Sequence, residues 1–306
     1  MVSLLASATE IVCALGFRGA LVGRSHECDR PAGVESLPRV TEPRFPTDGT
    51  SYQIDQRVKA IVQEALSVYR VDAEALRHLE PDLIVTQTQC AVCAVSRDDV
   101  DLALAEWTGA RPAVVSLEPN ALADVHADVR RVAEALGAPA RGEALVAEMT
   151  ARMEAVAARA AAIGARPRVA CVEWIEPLMA AGNWMPELVA MAGGESVFGE
   201  PGVHSPWIGW EDVVAADPDV LFVSPCGFDL ARTRTEMGGL TGRPGWSDLR
   251  AVRAGRVALA DGVAWFHRPG PRLAESVEIL AEILHPGASA PTWRGRAWAW
   301  AGRGPA

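Results

Sequence analysis

Between residues 139 and 163 the apolar positions fall into one stripe. Val146, Met149, Met153, Val156, Ala160 and Ile163 recur at intervals of three and four, with Leu145 beside them. Glu143, Glu148, Arg152, Glu154 and Arg159 fall mostly off it. The alanine-rich run favours helix, Gly164 supplies a stop, and Pro167 bars continuation. This predicts a single rod of about 36 Å, at roughly 1.5 Å per residue. Such a rod either joins two domains or lies along the surface of one.

Before the rod, residues 2–5 read as a buried strand. Ser7, Ala8, Thr9 and Glu10 read as a capping box opening a helix to about residue 15, followed by a strand at 21–25. Residues 32–52, rich in Pro, Gly and Thr, read as a long excursion. Ile54, Val58, Ile61, Val62, Ala65, Leu66 and Val68 mark an amphipathic helix, and residues 73–79 a shorter one. A strand at 83–85, a helix at about 98–108, a strand at 113–117 and a helix at about 122–136 lead to the rod. After it come a strand at 168–173, helices at 185–192 and 210–216, strands at 220–223 and 257–260, and a helix at 273–284. Residues 287–306 form a tail, packed or disordered. Strands alternating with helices predict βαβ units and mainly parallel sheets.

The two halves share a motif. The run from Glu74 to Val85 matches the run from Glu211 to Phe222 without a gap: Glu74, Pro81 and Asp82 recur 137 residues later as Glu211, Pro218 and Asp219. In each copy a short helix opens with glutamate, and an acid-Pro-Asp turn feeds a buried strand. With the rod between the copies, the expected organisation is an N-terminal α/β lobe over 1–138, a connecting backbone helix over 139–164, a C-terminal α/β lobe over 165–286 and the tail.

Composition narrows the function. A net charge of −10 argues against nucleic-acid binding, which needs a basic face. The 49% hydrophobic and 22% charged content is that of a soluble globular chain, and no apolar run approaches the ~18 residues of a membrane span. Met1, Val2 and Ser3 enter a strand with no basic segment before it, so the expected location is cytoplasmic as written, or periplasmic or otherwise extracytoplasmic if a leader has been removed. Six cysteines are too few for a disulfide framework at this length.

Ligands of open parallel sheets sit beyond the C-terminal ends of the strands. His26, Glu27, Cys28, Cys90 and Cys93 fall there in the first half. Trp174, Glu176, Trp184, His204, Trp207, Cys226, Trp265, Phe266, His267 and Arg268 fall there in the second. Cys13 and Cys171 lie inside apolar segments and read as core. Cys90-x-x-Cys93 suits a metal, a redox pair or plain packing.

The run from Ser3 to Glu10, Val22-Gly23, the run from Leu79 to Val85, Gly193-Gly194-Glu195, Asp217-Pro218-Asp219 and the run from Trp265 to Arg272 together resemble the helical-backbone (class III) substrate-binding proteins of ABC importers. The likeness covers roughly residues 2–285 and is strongest to the cobalamin-binding branch. It implies two similar α/β lobes joined by one long helix, with a ligand cleft between them and no catalysis. It implies that Glu74 and Glu211 dock on a transporter membrane subunit, and that Trp265 and Phe266 lie at the cleft rim. Both glutamates also read as ordinary N-terminal helix acids. His26, Glu27 and Cys28, with Cys90 and Cys93, depart from the usual periplasmic cobalamin binder.

Three functions follow. The first is non-enzymatic binding of a metal chelate, above all cobalamin or another corrinoid, by a substrate-binding protein of an ABC importer or by a cytoplasmic relative of one that stores, chaperones or senses the chelate. His26, Glu27, Trp184, His204, Trp207, Trp265, Phe266, His267 and Arg268 would contact it, and His26, His204 or His267 would offer an axial nitrogen. The second is a direct zinc or iron–sulfur site on Cys28, Cys90, Cys93 and Cys226. The third is thiol redox chemistry at Cys90 and Cys93. No P-loop, nucleophile elbow or dinucleotide fingerprint supports other catalysis.

Overall fold

A computed structural model describes residues 1–64, 67–88, 95, 97–105, 111–288 and 290–305. The chain forms two α/β lobes. One comprises residues 1–49, 53–119 and 123–147, and the other residues 50–52, 120–122 and 148–306.

In the first lobe four parallel strands lie in the order Gly23–Arg24, Val2–Ser3, Leu83–Gln87, Ala113–Leu117. Val2, Leu4, Val40, Leu76 and Ile84 form the core of this lobe. The second lobe repeats the arrangement. Strands Arg168–Trp174, Val220–Val223 and Val257–Ala260 run parallel in that order, with Glu195–Ser196 parallel on the outer edge of the first. Trp298–Trp300 adds an antiparallel strand beside Val257–Ala260, so the C-terminal segment packs on this sheet. Glu282 fixes the approach to it, accepting N–H bonds from Thr292, Trp293, Arg294 and the Trp298 indole at 2.7–3.0 Å.

The rod is a helix over Pro139–Ile163. Val146, Met149, Met153, Val156 and Ala160 are buried along its stripe, while Ile163 at the end is exposed. Within the first lobe, Arg141 donates to the Leu15 carbonyl at 2.9 Å. A Cβ on Gly142 would stand 2.6 Å from that of Ala133, so glycine lets this helix meet helix Leu122–Ala135 closely. Within the second lobe, Arg152 bonds Glu278 at 2.9 Å and Glu275 at 3.2 Å, both on the closing helix Leu273–Leu284. Gly164 adopts φ +76° and ends the helix.

Three local expectations are corrected. Ser7 to Glu10 form no capping box: the helix is Ala6–Ala14, its N-cap Leu5 makes no side-chain bond, and Ser7 and Thr9 are buried inside it. Thr9 Oγ1 lies 2.8 Å from Ser3 Oγ instead, because a buried hydroxyl must find a partner within the core. Residues 32–52 are not irregular throughout, since Thr41–Pro43 pairs antiparallel with Tyr69–Val71. The amphipathic helix is Ser51–Gln63, ending short of Val68, which is buried beside the Tyr69–Val71 strand.

Candidate functional site

In the first lobe, strand Gly23–Arg24 delivers Ser25, His26, Glu27 and Cys28. Thr41 holds His26, accepting from its backbone N–H at 3.0 Å and lying 2.8 Å from Nδ1, and the Tyr69 ring stands 5.2 Å away. Burial, with Arg39 and Arg24 nearby, pushes the imidazole down to about 4, so it is neutral at physiological pH. Glu27 is exposed, whereas Cys28 is 1% exposed, with its sulfur 3.0 Å from Thr9 Oγ1. Cys90 and Cys93 lie outside the described residues.

A polar network closes the next two strand ends. Thr88 donates to Glu118 Oε1 at 2.7 Å, and Glu118 N–H donates to the buried Asp128 carboxylate at 3.2 Å. Burial pushes the Asp128 carboxyl up to about 7, against the opposing pull of Arg131.

The second-lobe rim is knit more tightly. Cys226 N–H donates to the Glu173 carbonyl at 3.0 Å, Gly262 N–H to the Phe228 carbonyl at 3.0 Å, and His267 Nε2 lies 2.6 Å from the Ser224 carbonyl. After strand Val257–Ala260 the chain makes one π-helical turn over Gly262–Phe266, with the Trp265 ring against Trp293 at 5.0 Å and the Phe266 ring against Phe222 at 4.9 Å. Trp265 and Phe266 are buried at 6% and 0% exposure. Trp184 is buried too, its indole N–H satisfied by the Phe266 carbonyl at 3.0 Å. Arg268 is also buried, and Trp174 is half-buried against Phe228 at 5.3 Å. Glu176 pairs with Arg243 at 2.9 Å.

A loop from Val203 to Trp207 stands out of this rim. Val203 is 52% and Trp207 57% exposed, and His204 between them is exposed as well. The loop is nonetheless clamped. Buried Ser205 donates to Glu173 Oε2 at 2.8 Å and accepts from Gly182 N–H at 3.0 Å, while Ala180 N–H donates to the Pro206 carbonyl at 3.0 Å. A Cβ on Gly182 would fall 2.5 Å from the Val203 carbonyl, so only glycine allows this approach. Next to it Asn183 takes φ +51° and bonds Val203 through its backbone N–H at 2.7 Å. His204 Nδ1 lies 3.0 Å from the Ser205 carbonyl. With the proton on Nδ1, the Nε2 lone pair points away from that bond and is available to a metal. Sequence reading missed Ser205, Gly182 and Asn183 as the clamp, and Gly182-Asn183 was the turn signal that marked it.

Glu74 and Glu211 each occupy the second position of a seven-residue helix, Ala73–Leu79 and Trp210–Ala216, and both are exposed. Cys226 is half-buried. Burial pushes the Cys171 thiol up to about 12, which makes it inert at neutral pH. Among the described residues no three His, Cys, Asp or Glu side chains gather closely enough to hold a metal ion. Among them, too, no helix is long and apolar enough to cross a membrane.

The family model described as "Periplasmic binding protein" matches residues 1–264. The Vitamin B12-binding protein of Vibrio cholerae is 28% identical over 106 residues, 35% of this chain and 35% of that protein, so the match spans about a third of the relative's length. An uncharacterized ABC transporter substrate-binding lipoprotein of Bacillus subtilis is 23% identical over 294 residues, 94% of this chain and 80% of its own. Among solved structures, the apo periplasmic heme-binding protein from Roseiflexus sp. RS-1 superposes with a TM-score of 0.69 at 25% identity, covering 94% of this chain and 98% of that one. The periplasmic vitamin B12-binding protein of Vibrio cholerae superposes at 0.64 and 20% identity over 92% and 95%.

Proposed function

Because this chain belongs to the periplasmic binding protein family, we propose that it is the cargo-binding component of an ABC importer and that its cargo is a corrinoid. It binds and releases the cargo without catalysing any change in its covalent structure. The observation that carries the reading is the clamped loop bearing His204 and Trp207. An exposed indole offers a face for the apolar edge of a macrocycle, and an imidazole anchored through Nδ1 at the Ser205 carbonyl would turn Nε2 outward as an axial ligand for cobalt. The rigid mounting matters, since a pre-positioned ligand forfeits little ordering entropy on binding.

His267, half-buried on the same rim, is a further proposed contact. Trp184, Trp265 and Phe266 are packed into the lobe, and their burial leaves little ring face open to a cargo. Glu74 and Glu211 are the proposed docking pair for arginines of the membrane subunit. Both are exposed and stand at equivalent helix positions. Of the two placements the sequence allows, this function requires the extracytoplasmic one.

Heme is the second reading, supported by the likeness to a heme-binding protein over nearly the whole chain. The same imidazole would serve iron. Gel filtration of the purified chain after mixing with aquocobalamin or with hemin separates the two. Co-elution of one equivalent of cobalamin carries the proposal, co-elution of hemin alone replaces corrinoid by heme, and elution free of both rejects it.

A further inference from the structure

The opposite edge of the second-lobe sheet holds a cleft of about 410 Å³. It lies where three parallel strands begin. Arg166 and Pro167 precede strand Arg168–Trp174, Asp219 precedes Val220–Val223, and Arg256 precedes Val257–Ala260. Ala165, Arg250, Ala254 and Leu284 complete its wall. The cargo rim described above is at the other ends of these strands, so this cleft is separate from it.

Three guanidiniums and one carboxylate line it, on a chain whose net charge is −10. Arg250 is neutralised: it bonds Asp219 at 2.7 Å and Asp217 at 3.3 Å. Asp219 is also used up, since its second oxygen accepts the Arg168 N–H at 2.9 Å. Arg166 is exposed and makes no hydrogen bond or ion pair among the described residues. Arg256 is half-buried. Its Nη2 donates to the Leu284 carbonyl at 2.7 Å, but its Nε is sealed from solvent with no partner. Burial lowers its pKa, although Asp219 pulls the other way. A cation that has lost hydration on one edge gains most from an anion on its open side.

We propose that this cleft binds a small organic oxyanion, a phosphate or carboxylate head held by Arg256 and Arg166 with its carbon body against Pro167, Ala254 and Leu284. The volume is within the range of metabolite pockets and well above what an inorganic ion fills. The site does not depend on the identity of the cargo at the rim.

Isothermal titration with inorganic phosphate, pyrophosphate and citrate tests it, on the wild type, Arg166→Ala and Arg256→Met. The expected result is saturable one-to-one binding of citrate with Kd below about 1 mM, tighter than that of phosphate or pyrophosphate, which lack a carbon body, and weakened about tenfold or more in each variant that folds. Arg166→Ala keeps the test decisive if Arg256→Met fails to fold, because Arg166 supports nothing else described. Weak binding of all three probes without saturation up to about 10 mM, or equal affinity in Arg166→Ala and wild type, overturns the proposal.

Discussion

Glu80 and Asp217 occupy the same backbone corner in different lobes. Each ends a seven-residue helix in the left-handed region, at φ 42°, ψ 53° and φ 39°, ψ 67°. Each N–H bonds the carbonyl four residues back, that of Leu76 or of Val213. Proline and aspartate follow both, and then a buried strand. The 137-residue repeat in the sequence is therefore a repeat of backbone conformation, in a region a β-carbon disfavours by about 1–2 kcal/mol.

The two corners differ in side-chain use, which makes their glycine variants diverge. Glu80 is exposed, while Asp217 accepts from Arg250 N–H at 2.7 Å and pairs with its guanidinium. Glu80→Gly should stabilise the chain by about 0.5 kcal/mol, the released strain exceeding the added unfolded-state entropy. Asp217→Gly should destabilise it, because those bonds are lost. Urea unfolding of both variants checks this, and stabilisation by Asp217→Gly would count against it.

Asp128 sets a pH dependence in the first lobe. Its carboxyl has an ordinary value of 3.8 and is raised to about 7 in the folded chain, so folding favours the protonated form. The stability it contributes is full below about 3.8 and fades as pH rises to about 7. His26 acts in the opposite sense. Lowered from 6.5 to about 4, it contributes fully above 6.5 and less as pH falls towards 4. Because the two oppose, the difference between Asp128→Asn and wild type is the informative quantity. The variant should gain melting temperature relative to wild type between about pH 4 and pH 7, and parallel profiles would remove Asp128 from this role.

The loop clamp should be breakable without touching the cargo contacts. Gly182→Ala drives a Cβ to within 2.5 Å of the Val203 carbonyl and 2.7 Å of the Ser205 nitrogen, both backbone atoms that must move. Macrocycle affinity should fall by about tenfold or more while the circular dichroism spectrum stays unchanged. Unaltered affinity would mean that the loop position is irrelevant to binding.

Docking is separable from cargo binding. Reversing both charges, Glu74→Lys with Glu211→Lys, should abolish capture by the membrane subunit in a pull-down and leave macrocycle affinity within a factor of about two. Unimpaired capture by the double variant would assign these residues to helix-dipole compensation alone.

Local patterning carried much of this fold. Helix Pro139–Ile163 was legible because its stripe is uninterrupted and its ends are marked by proline and glycine. Thr41–Pro43 was not, because a three-residue strand containing proline has no periodicity and its partner Tyr69–Val71 is distant in sequence. Trp298–Trp300 was hidden because it too is only three residues long and its partner Val257–Ala260 is distant in sequence. At the rim, position beyond a strand end identified neighbourhoods but not side-chain directions. His204 and Trp207 are exposed there, while Trp184 and Phe266 turn inward and satisfy one another through an indole–carbonyl bond. Cys28 likewise turns towards Thr9. An aromatic or thiol placed at a strand end carries no mark of which way the next turn will rotate it.

The most direct measurement is an absorbance titration of aquocobalamin into the wild type and into His204→Ala. The expected wild-type result is saturation at one equivalent, with a shift of the visible bands as imidazole replaces cobalt-bound water. His204→Ala should bind at least about tenfold more weakly and leave the bands of the aquo form in place. Failure of the wild type to saturate, or the same bands and affinity in His204→Ala, would contradict a cobalt-bearing cargo held by the His204 imidazole.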